Sequence, residues 1–143
     1  MRKSCNRKVR DPMAYIHTHT TLAQDQQRDI GIAYRISLHA MMRGSGTEQT
    51  WSTVACALNI ALMLAEQGIL PEAEDVIKRA QEALLRSRER AQRFGTWAFD
   101  GEGIKAVLEA TNLHDEQMEI AKCSQVVNAM REMYRRIEAG EVA

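Results

Sequence analysis

The sequence predicts an all-α protein: a single-domain helical bundle of four to five helices, with a central apolar helix and a long C-terminal helix. Three observations carry this. Apolar residues recur at i, i+3, i+4 and i+7 through most of the chain. Aromatic residues make up only 5% of it, while Ala, Leu, Ile and Met are plentiful, a balance that favours helix over sheet. Between Trp51 and Leu85, an almost wholly apolar helix is joined to a strongly two-faced one through a turn holding Gly68 and Pro71.

Residues 1–20 read as a flexible basic arm ahead of a bundle domain over 21–143. Arg2, Lys3, Arg7, Lys8 and Arg10 give the arm its charge, and Asp11-Pro12 interrupts any helix there. Such an arm either frays in solvent or reaches for phosphate or an acidic partner. The first helix is expected to start near Thr21, where Thr21 and Gln24 fit a capping box. It carries Leu22, Ile30, Ala33, Tyr34, Ile36, Ser37, Ala40 and Met41 and stops at Gly44. The short Gly44-Ser45-Gly46 link makes the next helix its antiparallel neighbour.

That next helix places Trp51, Val54, Ala55, Leu58, Ala61, Leu62 and Ala65 on one face, and Cys56, Ala57, Ile60, Met63 and Leu64 fill the others. A helix apolar all round must be covered on several sides, and this run is too short to cross a bilayer, which needs about 20 apolar residues. Cys56 reads as a small buried hydrophobe. Gly68 suits the left-handed residue that closes a helix, Pro71 suits the first turn of the next, and Glu72, Glu74 and Asp75 favour its positive end. The following helix buries Ala73, Val76, Ile77, Ala80, Leu84, Ser87, Ala91 and Phe94. Its other side carries Arg79, Arg86, Arg90 and Arg93, a stripe able to meet phosphate or a partner. Asp75–Arg79, Glu82–Arg86 and Glu89–Arg93 stand at i, i+4 in the favourable acid-first order, so this face is expected to be salt-paired.

The connection after Phe94 holds Trp97 and Phe99, either as a plug over one end of the bundle or as an exposed anchor of the kind enriched at binding hot spots. The last helical region runs from about Glu102 to Glu138. Its two apolar stripes are rotated against each other, which suggests a kink or two helices with Asn112 as the cap. Unbroken it would reach about 55 Å at 1.5 Å per residue, more than a compact domain of this size needs. Its overhanging end would then require cover, which predicts a homodimer through Val126, Val127, Met130, Met133, Tyr134 and Ile137.

Nineteen basic and nineteen acidic residues balance, which excludes both a strongly acidic nucleic-acid mimic and a globally basic DNA wrapper. Cys5, Cys56 and Cys123 are odd in number and widely spaced, with no disulfide framework or zinc pair. His17-Thr18-His19 lacks the third ligand a metal site needs, and no Glu-x-x-His pair of the di-iron bundles occurs. His114 falls on an apolar stripe beside Asp115, Glu116 and Glu119, where a hydrogen-bonded core histidine is the expected reading. No P-loop or dinucleotide fingerprint is present. No cofactor, metal, catalytic residue or small-molecule substrate is therefore expected. No apolar stretch follows the basic N-terminus, so neither a signal peptide nor a membrane span is expected, and a cytoplasmic location is.

The stretch from Asn59 to Ala80 resembles a single tetratricopeptide repeat at Asn59, Ala61, Leu64, Gly68, Ala73, Ile77 and Ala80. No second copy follows, and solenoids need about three, so a helical hairpin with a close crossing explains the same small residues. A wider pattern begins with Trp51, Leu58-Asn59-Ile60-Ala61, Gly68-Ile69 and Ala80-Gln81. It continues through Gly95-x-Trp97, Asp100-Gly101-x-Gly103-Ile104, Leu113-His114-Asp115 and Gln117. This pattern resembles a family of small helical proteins from phages, plasmids and integrated elements of proteobacteria. No activity is attached to that family, so the resemblance carries over no site residues. It implies a mobile-element accessory protein that binds and inhibits a bacterial host protein or ribonucleoprotein complex, as anti-CRISPR inhibitors do. The candidate surfaces are Phe94, Trp97 and Phe99 together with the arginine stripe. A DNA-binding transcriptional regulator using the arm and the stripe, or a helical scaffold or adaptor, are the alternatives.

Overall fold

The computed structural model describes residues 20–142. Among them five α-helices pack side by side: α1 (Gln24–Met42), α2 (Glu48–Glu66), α3 (Glu74–Phe94), α4 (Gly101–Ile120) and α5 (Cys123–Glu138). A single 3₁₀ turn over Pro71–Ala73 links α2 to α3. The protein is thus an all-α bundle, and α2 is its centre, packed against each of the other four helices. The physical cause lies in its composition. Val54, Leu58, Ala61 and Leu64 are wholly buried, Ala55, Leu62, Met63 and Ala65 nearly so, and together they span the circumference of the helix. Thr47 caps α2 by accepting from Thr50 N–H at 3.2 Å, while Thr50 Oγ1 accepts from Thr47 N–H at 2.8 Å.

The link from α1 to α2 returns against the aromatic connection. Gly46 bridges to Trp97, and a Cβ at Gly46 would stand 2.3 Å from the Trp97 carbonyl oxygen. Only glycine allows that approach. Gly95, at φ 73°, closes α3 in the left-handed conformation and turns the chain towards it.

Several boundaries differ from those expected. The first helix starts at Gln24, with Ala23 as its cap residue and the Gln26 side chain accepting from Ala23 N–H, so Thr21 and Gln24 form no capping box. The reason is tertiary: Thr21 bridges to Lys122, and Cys123 N–H donates to the Thr20 carbonyl at 2.8 Å. The same pairing explains the C-terminal region. Ala121 and Lys122 are extended, at ψ 137° and 152°, so the region is two helices broken there and not at Asn112. The helix of about 55 Å does not exist, and the overhang that argued for a dimer disappears with it. Ile30 and Ile36, assigned to the core face of α1, are exposed, Ile36 by 65%, because α1 turns Tyr34, Ser37, Leu38 and Met41 inward. Cys56 is also exposed rather than buried, at the mouth of a recess between α1 and α5.

Candidate functional site

Three surfaces carry the residues singled out in the sequence. The first is the outer face of α3. Arg79, Arg86, Arg90 and Arg93 all lie exposed along it, over a length of about 21 Å at 1.5 Å per residue. None of the three expected i, i+4 pairs forms among the described residues. Arg86 turns to Asp100 at 3.1 Å instead, and Arg79, Arg90 and Arg93 carry no ion pair there. The physical reason is competition. Asp100 caps α4, its Oδ1 accepting from Gly103 N–H at 2.6 Å, which points its second oxygen at Arg86. The Arg86 guanidinium and then the Gly103 amide hold the Asp100 carboxyl below its ordinary range.

The aromatic connection beside this face divides. Phe99 is 6% exposed and belongs to the core, so it is no partner anchor. Trp97 is half-buried, with its ring 5.9 Å from that of Trp51, and it packs against the core. Trp51 in turn donates its Nε1–H to the Leu84 carbonyl at 2.9 Å and carries the Arg88 guanidinium 5.3 Å from its ring centroid. Phe94 is different. The sequence puts it on the buried stripe of α3, yet it is 76% exposed, although Ala91 three residues before it is buried. Arg90, Arg93 and Phe94 therefore converge at one end of the bundle, around a shallow hollow of about 210 Å³ that Arg86 and Asp100 also line.

The second surface is the outer face of α5. Val126 and Met133, placed in a dimer interface from the sequence, are buried and belong to the core of the same chain. Val127, Met130, Tyr134 and Ile137 point outward. The face stays apolar, but it is narrower than expected. Arg135 and Arg136 share Glu132 beside it, and Arg136 also reaches Glu66 at the end of α2. Those two guanidiniums, Arg135 first, hold the Glu132 carboxyl down at about 2.

The third site was not assembled from the sequence. The Gln117 side chain is fully buried, and its Nε2 donates to both the Ala61 and Ile69 carbonyls at 3.0 Å. Its Oε1 lies 3.3 Å from His114 Nδ1. Since Oε1 can only accept, Nδ1 carries the proton, and His114 Nε2 is left as a bare acceptor. Burial holds the His114 pKa down to about 4, partly offset by the Gln117 bond, so the ring is neutral at pH 7. Tyr34 lies beside it, ring centroids 5.6 Å apart, and both Tyr34 Oη and Arg35 donate to Asp115. The signal that could have found Gln117 is its register with the α4 stripe of Val107, Ala110, Thr111 and His114, three residues after a histidine on the same stripe.

The arm residues Arg2, Lys3, Arg7, Lys8 and Arg10, with His17 and His19, lie outside the described residues. Among the described residues no group of three or more His, Cys, Asp or Glu could hold a metal ion, and no helix is long and apolar enough to cross a membrane. No protein-family model, curated protein or solved structure matches this chain.

Proposed function

We propose that this chain is a non-enzymatic interaction protein that docks the Arg90–Arg93–Phe94 end of α3 onto an anionic surface of a bacterial protein or ribonucleoprotein complex and inhibits it, in the manner of anti-CRISPR proteins. The observation that supports this reading is the union, at one corner of the bundle, of a 76% exposed phenylalanine with two guanidiniums that carry no ion pair among the described residues. Arginines with an aromatic neighbour are the groups that supply most binding energy at interfaces. Phe94 and the arginines act there as the anchor, and Arg79 and Arg86 extend the positive surface. The mobile-element origin belongs to the same proposal and rests on the sequence resemblance; the cytoplasmic setting belongs to it as well.

Affinity capture from a bacterial lysate tests it, with wild type compared against Phe94→Ala and against Arg90→Glu/Arg93→Glu. Both variants change only exposed side chains, so melting temperatures should stay within a few degrees of wild type. Loss of one wild-type partner from both variants is the expected result, and retention of every captured protein by both overturns the proposal.

The same unpaired arginines favour one second reading, a nucleic-acid-binding regulator. Affinity would then fall steeply as salt rises, and failure to bind DNA or RNA at 50 mM salt removes that reading.

A further inference from the structure

Beside His114 a recess opens between α1, α2 and α5. Ile30 and Ala33 form one wall, Ile60 and Cys56 another, and Val126 and Met130 the third, around about 270 Å³ of space. Nearly every atom lining it is carbon or sulfur. His114 also lines it and is only 2% exposed. Its Nδ1–H is committed to Gln117, and Gln117 is held in place by two backbone carbonyls on its other side. The ring therefore cannot present a donor outward. Nε2 has no hydrogen-bond partner among the described residues. Every wholly buried side-chain nitrogen or oxygen there does have one. Nε2 must accordingly be reached from outside, and the recess is the opening that the ring lines.

A bare acceptor at the base of an apolar recess is an uncommon arrangement. An unpaired polar atom in apolar surroundings costs free energy, and a ligand donor that meets it recovers that cost. Ligand sites in general are apolar with a few placed polar groups, and those for drug-sized molecules run roughly 300–1,000 Å³. This one lies just below that range, which limits its occupant to about the size of a single or fused ring. The geometry points to a binding site for a small, largely apolar ring molecule carrying one hydroxyl or N–H group, with that group donating to His114 Nε2. Phenols and indoles have this chemistry. The site is separate from the arginine corner of α3 and does not rest on it.

The shape and the donor can be tested separately. Phenol and toluene have nearly the same shape, and only phenol donates. Histidine ¹⁵N spectra of the full chain, recorded while each is titrated, read His114 Nε2 directly. Protection of Cys56 from an apolar maleimide reads occupancy of the recess. Phenol should move the His114 Nε2 resonance and slow Cys56 alkylation, at a concentration at least tenfold below that at which toluene protects Cys56. His114→Leu should erase the preference for phenol. Ala33→Trp, at an exposed position of the wall, should abolish both effects, and it decides the matter if His114→Leu does not fold. Equal protection by phenol and toluene overturns the role of His114. No protection by either, or protection that survives Ala33→Trp, overturns the site itself.

Discussion

Lowering the pH should destabilise this fold through His114 in a window between about 6.5 and 4. In the unfolded chain an imidazole titrates near 6.5, whereas burial in α4 holds His114 neutral down to about 4. Across that window the unfolded chain binds the extra proton and the folded chain does not, so stability falls as pH falls. The stabilising effect is complete above 6.5, declines by up to about 1.4 kcal/mol per pH unit below it, and levels off once the folded ring also protonates. Each tenfold difference in proton affinity is worth about 1.4 kcal/mol, which makes the full effect on the order of 3 kcal/mol by pH 4. That is a large share of the 5–15 kcal/mol that holds a typical domain together, roughly speaking. Asp115 works against it, since burial and then Glu119 raise its pKa, so its protonation favours the fold. Asp100 and Glu132, whose pKa values are lowered, remove stability only below the ordinary carboxylate range. A difference experiment isolates the histidine. Urea unfolding followed by tryptophan fluorescence at pH 7, 5.5 and 4.5, on wild type and on His114→Leu, gives the two slopes. The variant should start less stable, because Gln117 Oε1 loses its donor, and should lose less with acid. Equal slopes in the two proteins would mean that His114 does not carry the acid sensitivity.

Trp97→Ala should lower stability by about 2 kcal/mol, less than a fully buried tryptophan because one side of the ring is already wet. A melting curve shows this, and an unchanged melting temperature would return Trp97 to the role of exposed anchor. Gly46→Ala should be far more damaging than Gly44→Ala. The first drives a methyl into the Trp97 carbonyl and Met41, whereas the second meets open space and costs only the roughly 1 kcal/mol of a left-handed backbone. Comparison of their urea midpoints decides it. Gln117→Met should cost on the order of 3 kcal/mol by leaving the Ala61 carbonyl, the Ile69 carbonyl and His114 Nδ1 without their partner, again read from urea unfolding. Asp100→Ala removes the α4 cap and should cost about 1 kcal/mol, with no further loss when Arg86→Ala is added if the two act as one unit.

Much of the architecture was legible in the residues. The apolar circumference of α2 implied a central helix, because no other placement buries Leu58, Met63 and Leu64 together. The Gly68–Pro71 turn and the stripe of α3 from Ala73 to Ala91 follow for the same reason: local chemistry decides them, whereas Phe94 at the end of that stripe is exposed. The candidate surfaces were legible only in part. Arg79, Arg86, Arg90 and Arg93 are exposed as expected, but Asp75, Glu82 and Glu89 do not pair with Arg79, Arg86 and Arg93, since a helical spacing permits an ion pair without requiring one. Phe99 and Phe94 are close in sequence and opposite in environment, one in the core and the other exposed at the last residue of α3. Periodicity places a residue on a face, and does not say whether another helix extends far enough to cover it.

The helical character of the chain, the central place of α2 and the position of the α2–α3 turn are local properties of its residues. Those follow from hydrophobic period and from backbone preferences acting over a few residues. Long-range packing alone breaks the C-terminal region at Ala121–Lys122. That break comes from pairing with Thr20 and Thr21, about a hundred residues away in the chain. Long-range packing also lets Gln117 clamp His114 to two distant carbonyls, leaving Nε2 with no hydrogen-bond partner among the described residues. Contacts between residues far apart in sequence have no local signature, because either partner alone looks like an ordinary polar residue on a helix.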